Sequence, residues 1–240
     1  KELKKLNAEI VDEHYYKSPE WFLKNAARYD NYDRNGFKVF AGEYAGHGKD
    51  NAQAESKNSW YSAMAEAAFM TGLERNADVV RMCSYAPLLA HVDAWQWRPD
   101  LIWFDNLRSM ATPNYYVQQL YSRNRGTHAV PALFDGKALS GKDSLYASAV
   151  IDTVTKELII KFVNAGNKTE NFEFSLAGIK TLKGEMTVTS LHGEEILAYN
   201  TLDKPAVVIP VSRRIPVKGK KIKQTIAPST FTVLRLTYVP

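Results

Sequence analysis

With 240 residues, the chain is long enough to bury a sizeable core and to hold two domains of ordinary size. Hydrophobic residues at 45% and charged residues at 24% exclude a disordered tail or a collagen-like repeat, and no apolar run reaches the length of a membrane span. The net charge of +5 is concentrated in Lys218-Gly-Lys-Lys-Ile-Lys223, which lacks the interleaved aromatics of a nucleic-acid platform; a solvated β-turn is expected there, with neither nucleic acid nor membrane as a partner.

Lys1 to Leu6 reads as the tail of an amphipathic helix, so the chain is expected to begin inside a larger protein. Ala8 to Tyr16 then forms a strand in which His14 and Tyr16 alternate and share a face. Ser18 caps a helix over Pro19 to Tyr29, with proline at its first position. Phe37 to Glu43 is the second strand. Ala45-Gly46-His47-Gly48 is expected to end it, which puts Glu43 at its carboxyl end.

Ser59 to Arg75 is a helix with an apolar stripe of Ala63, Ala67, Met70 and Leu73. Val79 to Tyr85 is a third strand, apolar enough to be buried on both faces, with Cys83 as a small core residue. A long aromatic loop follows, and Thr112-Pro113-Asn114 caps a helix over Tyr115 to Tyr121. Strand alternating with helix is the pattern of a parallel sheet with crossover helices.

From Thr127 the texture changes to short β-rich runs, among them Leu145 to Ile151, Glu157 to Val163, Gly184 to Leu191 and Thr230 to Leu236. The turns Asn164-Ala-Gly-Asn167, Leu182-Lys-Gly184 and His192-Gly193 punctuate them as in a β-sandwich. The chain therefore divides into residues 1–126 and 127–240, packed on each other. Three parallel strands leave two open edges, so the first part is expected to belong to a larger barrel.

Polar groups gather at the strand ends: Asp12 to Tyr16 after the first, Glu43-Tyr44 after the second, Ser84 to Pro87 after the third. Adjacent parallel strands bring such ends within one pocket. Glu43 is read either as a catalytic carboxylate or as a solvated turn residue. Aromatics in Asp93 to Phe104 suit the apolar faces of a sugar, although Trp97 and Trp103 can equally seal a loop. The five histidines lack metal-ligand spacing, and neither a nucleophilic serine elbow nor a phosphate loop occurs, so no metal and no cofactor are expected.

The chain resembles the α-L-arabinofuranosidases of glycoside hydrolase family 51. The resemblance is carried by Asp12-Glu-His14-Tyr-Tyr16, Phe40-Ala-Gly-Glu43-Tyr-Ala45, Ala65-Glu-Ala-Ala-Phe69, Gly72-Leu-Glu-Arg-Asn76, Ser84-Tyr-Ala-Pro87, Trp97-Arg-Pro-Asp100, Thr112-Pro-Asn-Tyr-Tyr-Val117 and Ser229 to Leu236. It implies the last part of a (β/α)8 TIM barrel followed by a jelly-roll-like β-sandwich. It also implies a retaining, exo-acting enzyme that releases terminal arabinofuranose from arabinan or arabinoxylan.

By resemblance Glu43 is the nucleophile, His14 and Tyr16 position it and contact the sugar, and Tyr44, Trp97 and Asp100 are further substrate contacts. Some family members place a glutamine near the Trp-Arg motif where this chain has Pro99-Asp100. The family's acid/base belongs to an Asn-Glu pair with no counterpart here, so the missing amino-terminal barrel half is the expected partner and the chain alone is expected to be inactive. Glu13 and Glu55 are the nearest in-chain carboxylates. The resemblance also implies a secreted or periplasmic protein. The competing reading is a non-catalytic, carbohydrate-binding or structural β-sandwich fragment.

Overall fold

The structure, a computed structural model, describes residues 6–48 and 57–240. The helix tail expected before Leu6, and Glu55, lie outside the described residues. Three strands form a parallel sheet in the order β1 (Ile10–Lys17), β2 (Lys38–Gly46) and β3 (Val80–Tyr85). They alternate with helices α1 (Pro19–Lys24) and α2 (Trp60–Arg75).

Helix α1 is shorter than expected because Asn25 ends it: its backbone N–H reaches Trp21 O and Phe22 O, and its side-chain amide also donates to Trp21 O. Ser59 caps α2 by accepting from the Ser62 N–H. Instead of one apolar stripe, every residue of α2 from Trp60 to Leu73 is buried except Tyr61. The helix is enclosed, with the parallel sheet and α1 on one side and an antiparallel sheet on the other. Its alanines and Gly72, where a Cβ would come within 2.0 Å of Ala26 O, allow that close approach.

Two expectations for the strands are corrected. Ala45 and Gly46 do not break β2 but pair with Tyr16 and Lys17 of β1. Strand β3 is buried only at Val80 and Tyr85, and Cys83 is exposed, because among the described residues β3 pairs with β2 alone. The aromatic loop is also more ordered than expected. It carries β4 (Leu89–His91), β5 (Ile102–Phe104) and β6 (Ser109–Ala111), a small sheet packed around Ala90, Trp103 and Met110. Helix α3 (Pro113–Arg123) follows, capped by Thr112.

The remaining strands are antiparallel: β7 (His128–Val130), β8 (Leu133–Phe134), β9 (Lys137–Ala138), β10 (Leu145–Asp152), β11 (Glu157–Asn164), β12 (Glu170–Ser175), β13 (Thr181–His192), β14 (Val211–Pro216), β15 (Lys221–Ile226) and β16 (Thr230–Val239). A six-stranded sheet runs β14-β13-β16-β11-β10-β7, and β12 pairs with β15. Side-chain alternation divides β11 between two cores. Ile159 and Val163 pack toward α2, while Leu158 and Ile160 join the core on the other face and Phe162 meets Phe172 and Phe174 of β12. Burial on both faces is why the sequence of β11 is nearly continuous in apolar residues.

One expected turn is absent. Leu182-Lys-Gly184 lies inside β13, where Gly184 takes φ +73° and the pairing with β16 is interrupted until Thr187, as in a bulge. The basic cluster is a solvated connection from β14 to β15, with Gly219 at φ +83° bridged to Leu182 of β13 and with Lys221 and Lys223 on Glu173.

Candidate active site

Strands β1 and β2 bring three of the expected groups together. In register, His14 stands opposite Glu43. Tyr16 Oη donates to Glu43 Oε2 at 2.6 Å, and His14 Nδ1 lies 3.5 Å from the same oxygen. Burial, and then the Glu43 carboxylate, push the Tyr16 phenol well above its ordinary pKa, so it remains a proton donor. Trp97 completes the group, half-exposed, with its ring centroid 5.4 Å from that of Tyr16.

A bulge in β2 aims Glu43. Strand β1 advances two residues from Asp12 to His14 while β2 advances three, from Phe40 to Glu43, and β3 registers the same extra residue between Ala41 and Tyr44. Before the bulge, Val39 and Ala41 face the core; simple alternation would send Glu43 after them. The extra residue reverses the phase. Glu43 turns to the open side, and Tyr44 enters the core.

Tyr44 therefore does not join the sugar-contact group assigned to it from sequence. Its ring is fully buried against Phe22, Phe69 and Tyr85, and its hydroxyl donates to Gln118 Oε1 at 2.8 Å.

Asp12 supplies what sequence reasoning left unassigned. Its Oδ2 lies 2.8 Å from His14 Nε2, and its Oδ1 accepts from the Gly42 N–H at 3.1 Å, so one carboxylate orients the imidazole and ties it to the bulge. Ser84 Oγ donates to Gly42 O from β3. The signals were the Asp-x-His-x-Tyr alternation and the glycine beside Glu43. A Cβ on Gly42 would stand 2.2 Å from Asp12 Oδ1. Glu13 faces the other way and is held by the hydroxyls of Tyr15, Tyr29 and Tyr32 and by Arg28.

Beyond Trp97 lies a cleft of about 430 Å³ lined by Pro87, His91, Trp95, Trp97, Asp100 and Phe104, among others. Asp100 is buried under it. Its N–H donates to Asn58 Oδ1 at 3.1 Å, and its Oδ2 has no hydrogen-bond partner among the described residues. Burial pushes this carboxyl up to about 6, against the opposing pull of the Arg98 guanidinium. Arg98 in turn lies 4.7 Å from the ring centroids of both Trp95 and Trp103.

Among the described residues no cluster of three or more His, Cys, Asp or Glu can hold a metal, and no helix is long and apolar enough to cross a membrane. The chemistry available is that of a half-exposed carboxylate with a phenol donor on one oxygen, an oriented imidazole beside it and an aromatic wall.

Residues 42–229 match the model of the α-L-arabinofuranosidase C-terminal domain. An extracellular exo-α-L-arabinofuranosidase of Streptomyces chartreusis is 58% identical over 126 residues, 52% of this chain and 14% of that protein. Arabidopsis thaliana α-L-arabinofuranosidase 1 is 30% identical over 231 residues, 94% of this chain and 33% of that protein. An arabinose-bound family-51 α-L-arabinofuranosidase structure superposes with TM-score 0.86 at 32% identity, covering 96% of this chain and 37% of the other. The Thermotoga maritima enzyme in its arabinose complex shares the fold at TM-score 0.73 and 16% identity, over 96% of this chain and 53% of its own. The chain thus spans a third or less of the length of these two curated relatives.

Proposed function

Because the chain belongs to the α-L-arabinofuranosidases of glycoside hydrolase family 51 and carries their C-terminal domain, we propose that it supplies the nucleophile half of a retaining, exo-acting α-L-arabinofuranosidase. The observation that carries this reading is the pairing of Tyr16 and His14 on one oxygen of Glu43, at adjacent parallel strands. Glu43 attacks the anomeric carbon of a terminal arabinofuranose, and the bond from that carbon to the leaving oxygen breaks. The leaving oxygen takes the proton of a second carboxyl group. Water, deprotonated by that same group, then cleaves the arabinosyl ester, restoring Glu43 and releasing arabinose with its configuration retained.

Each group has a part in this scheme. Tyr16 holds the Glu43 carboxylate aimed, and Asp12 fixes His14 against it. Trp97 offers an apolar face to the sugar, with the cleft over Asp100 next to it. The second carboxyl must stand about 5 to 5.5 Å from Glu43. Glu13 is turned away, and we assign the acid/base to the portion of the relatives' length that this chain does not span. Residues 1–126 are then the last part of a (β/α)8 barrel, a reading supported by β1–β3 and their helices. Residues 127–240 are a jelly-roll-like β-sandwich, supported by the six-stranded sheet covered by β12 and β15. The substrate is an arabinofuranose-containing glycan, arabinan or arabinoxylan.

Glu43→Ala in the whole protein tests the assignment. Turnover of an aryl α-L-arabinofuranoside is expected to fall by roughly 10⁴-fold, with unchanged thermal unfolding, and to recover in part with added formate or azide. Normal turnover in the folded variant would remove Glu43 from the nucleophile role.

A further inference from the structure

Glu66 is a carboxyl group that this chemistry does not use, and it lies fully buried at the middle of α2. Its Oε1 accepts the Gly46 N–H at 2.7 Å. Ser62 Oγ, one helical turn earlier, donates to Gly46 O at 2.6 Å. Both backbone groups of Gly46 are thus held by α2, and a Cβ there would lie 2.9 Å from Ser62 Oγ and 3.3 Å from Glu66 Oε1. Gly46 pairs with Lys17, and Ala45 with Tyr16. The clamp therefore fixes the register of the strand pair that sets Tyr16 against Glu43.

Glu66 Oε2 is buried without a partner among the described residues, and so is Asn114 Oδ1 of α3. The Asn114 side chain adjoins Glu66, and its Nδ2 is taken by Ser62 Oγ at 3.2 Å. An ionised carboxylate here would hold a charge in a fully buried site with no cation against it among the described residues and with Oε2 unpartnered, whereas the neutral acid carries no charge to desolvate. The titratable groups acting across this site are the buried phenols Tyr44 of β2 and Tyr85 of β3, each pushed far above its ordinary range by burial. Neither supplies a positive charge.

We propose that Glu66 is held as the neutral acid and that in this form it is a positioning residue for the end of β2 that carries Glu43. Burial without a cation agrees, pushing the Glu66 carboxyl up to about 8, with the Gly46 and Asn114 hydrogen bonds pulling only partly against it. The sign follows from proton linkage. The unfolded chain loses the Glu66 proton near the ordinary carboxyl value, and the folded chain keeps it to about 8, so Glu66 favours folding at low pH and the gain disappears as pH rises between those values.

The test is Glu66→Gln in the whole protein, since glutamine reproduces the neutral acid's donor and acceptor. The difference in thermal midpoint, variant minus wild type, is expected to grow in favour of glutamine from pH 5 to about pH 8 and to level off above it, and an infrared band of a protonated buried carboxyl present in the wild type at pH 7 is expected to vanish. A pH-independent difference, or no such band, overturns the neutral-acid assignment whatever the reaction. The positioning role rests on the reading of Glu43 as nucleophile and has its own readout. Glu66→Gln should keep kcat within a few-fold, while Glu66→Ala, if folded, should lose it at least tenfold with a smaller change in KM. Equal kcat in both variants overturns the positioning role. Failure of Glu43→Ala to lose turnover would instead count against the nucleophile alone.

Discussion

Tyr16 Oη and Glu43 Oε2 stand 2.6 Å apart across β1 and β2 although 27 residues separate them in the chain. A phenol donating to a carboxylate is a charge-assisted bond, worth about 1.5–3 kcal/mol when its acceptor is ionised. Tyr16→Phe in the whole protein is therefore expected to lower kcat/KM by about 10- to 100-fold. Because burial and Glu43 push the Tyr16 phenol upward, it stays protonated through the alkaline range. The pH profiles of wild type and Tyr16→Phe should accordingly share their alkaline limb up to about pH 10. A limb that disappears in the variant would assign that titration to Tyr16.

Gly42 tests the bulge. Alanine there would place a Cβ 2.2 Å from Asp12 Oδ1 and 2.9 Å from its Cγ, closer than such atoms can stand. Asp12 must move, losing the Gly42 N–H and its hold on His14. The displaced imidazole and carboxylate lead us to expect a loss of about 10²-fold in kcat. Thermal unfolding should change little, because Asp12 and His14 are half-exposed. A large stability loss with normal kcat per folded molecule would make Gly42 a structural residue only.

Much of this arrangement is legible in the sequence, and the gaps have physical causes. Glu157 to Val163 declares a strand because both its faces are buried. Thr112 declares its helix because capping is local chemistry. His14 and Tyr16 declare a shared face through simple alternation. The bulge at Gly42 is not local: it is a mismatch in residue count against two neighbouring strands, and that mismatch sends Tyr44 inward. The exposure of Cys83 likewise depends on β3 having one neighbour, and the enclosure of α2 on a sheet more than 70 residues downstream.

Asp100 gives a pH test of stability. Its folded-state value of about 6 lies above the ordinary 3.8, so its contribution is fully present below pH 3.8 and is lost as pH rises through 6. Asp100→Asn removes this titration. The stability of the variant relative to wild type, measured by urea unfolding, is expected to rise between pH 4 and pH 7. A flat difference would mean that Asp100 is ionised throughout that range, with Arg98 outweighing its burial.

Lys161 and Glu74 hold the antiparallel sheet against α2. Lys161 is fully buried, with Nζ 2.5 Å from Glu74 Oε1 and 2.7 Å from Asn124 O, while Ser148 Oγ donates to the other oxygen of Glu74. Burial pulls the Lys161 ammonium below its ordinary pKa, and Glu74 resists the shift. Lys161→Met leaves the Glu74 charge facing an apolar side chain and is expected to cost about 3–5 kcal/mol in urea unfolding. Glu74→Leu alone strands the ammonium at a similar cost. In the double variant apolar groups meet, so its loss should fall well short of the sum, with a coupling of at least about 0.5 kcal/mol. Additive losses would show that the two side chains stabilise the interface independently, and that packing around Tyr121 and Phe231, stacked 5.4 Å apart, joins the sheet to the helices without help from the ion pair.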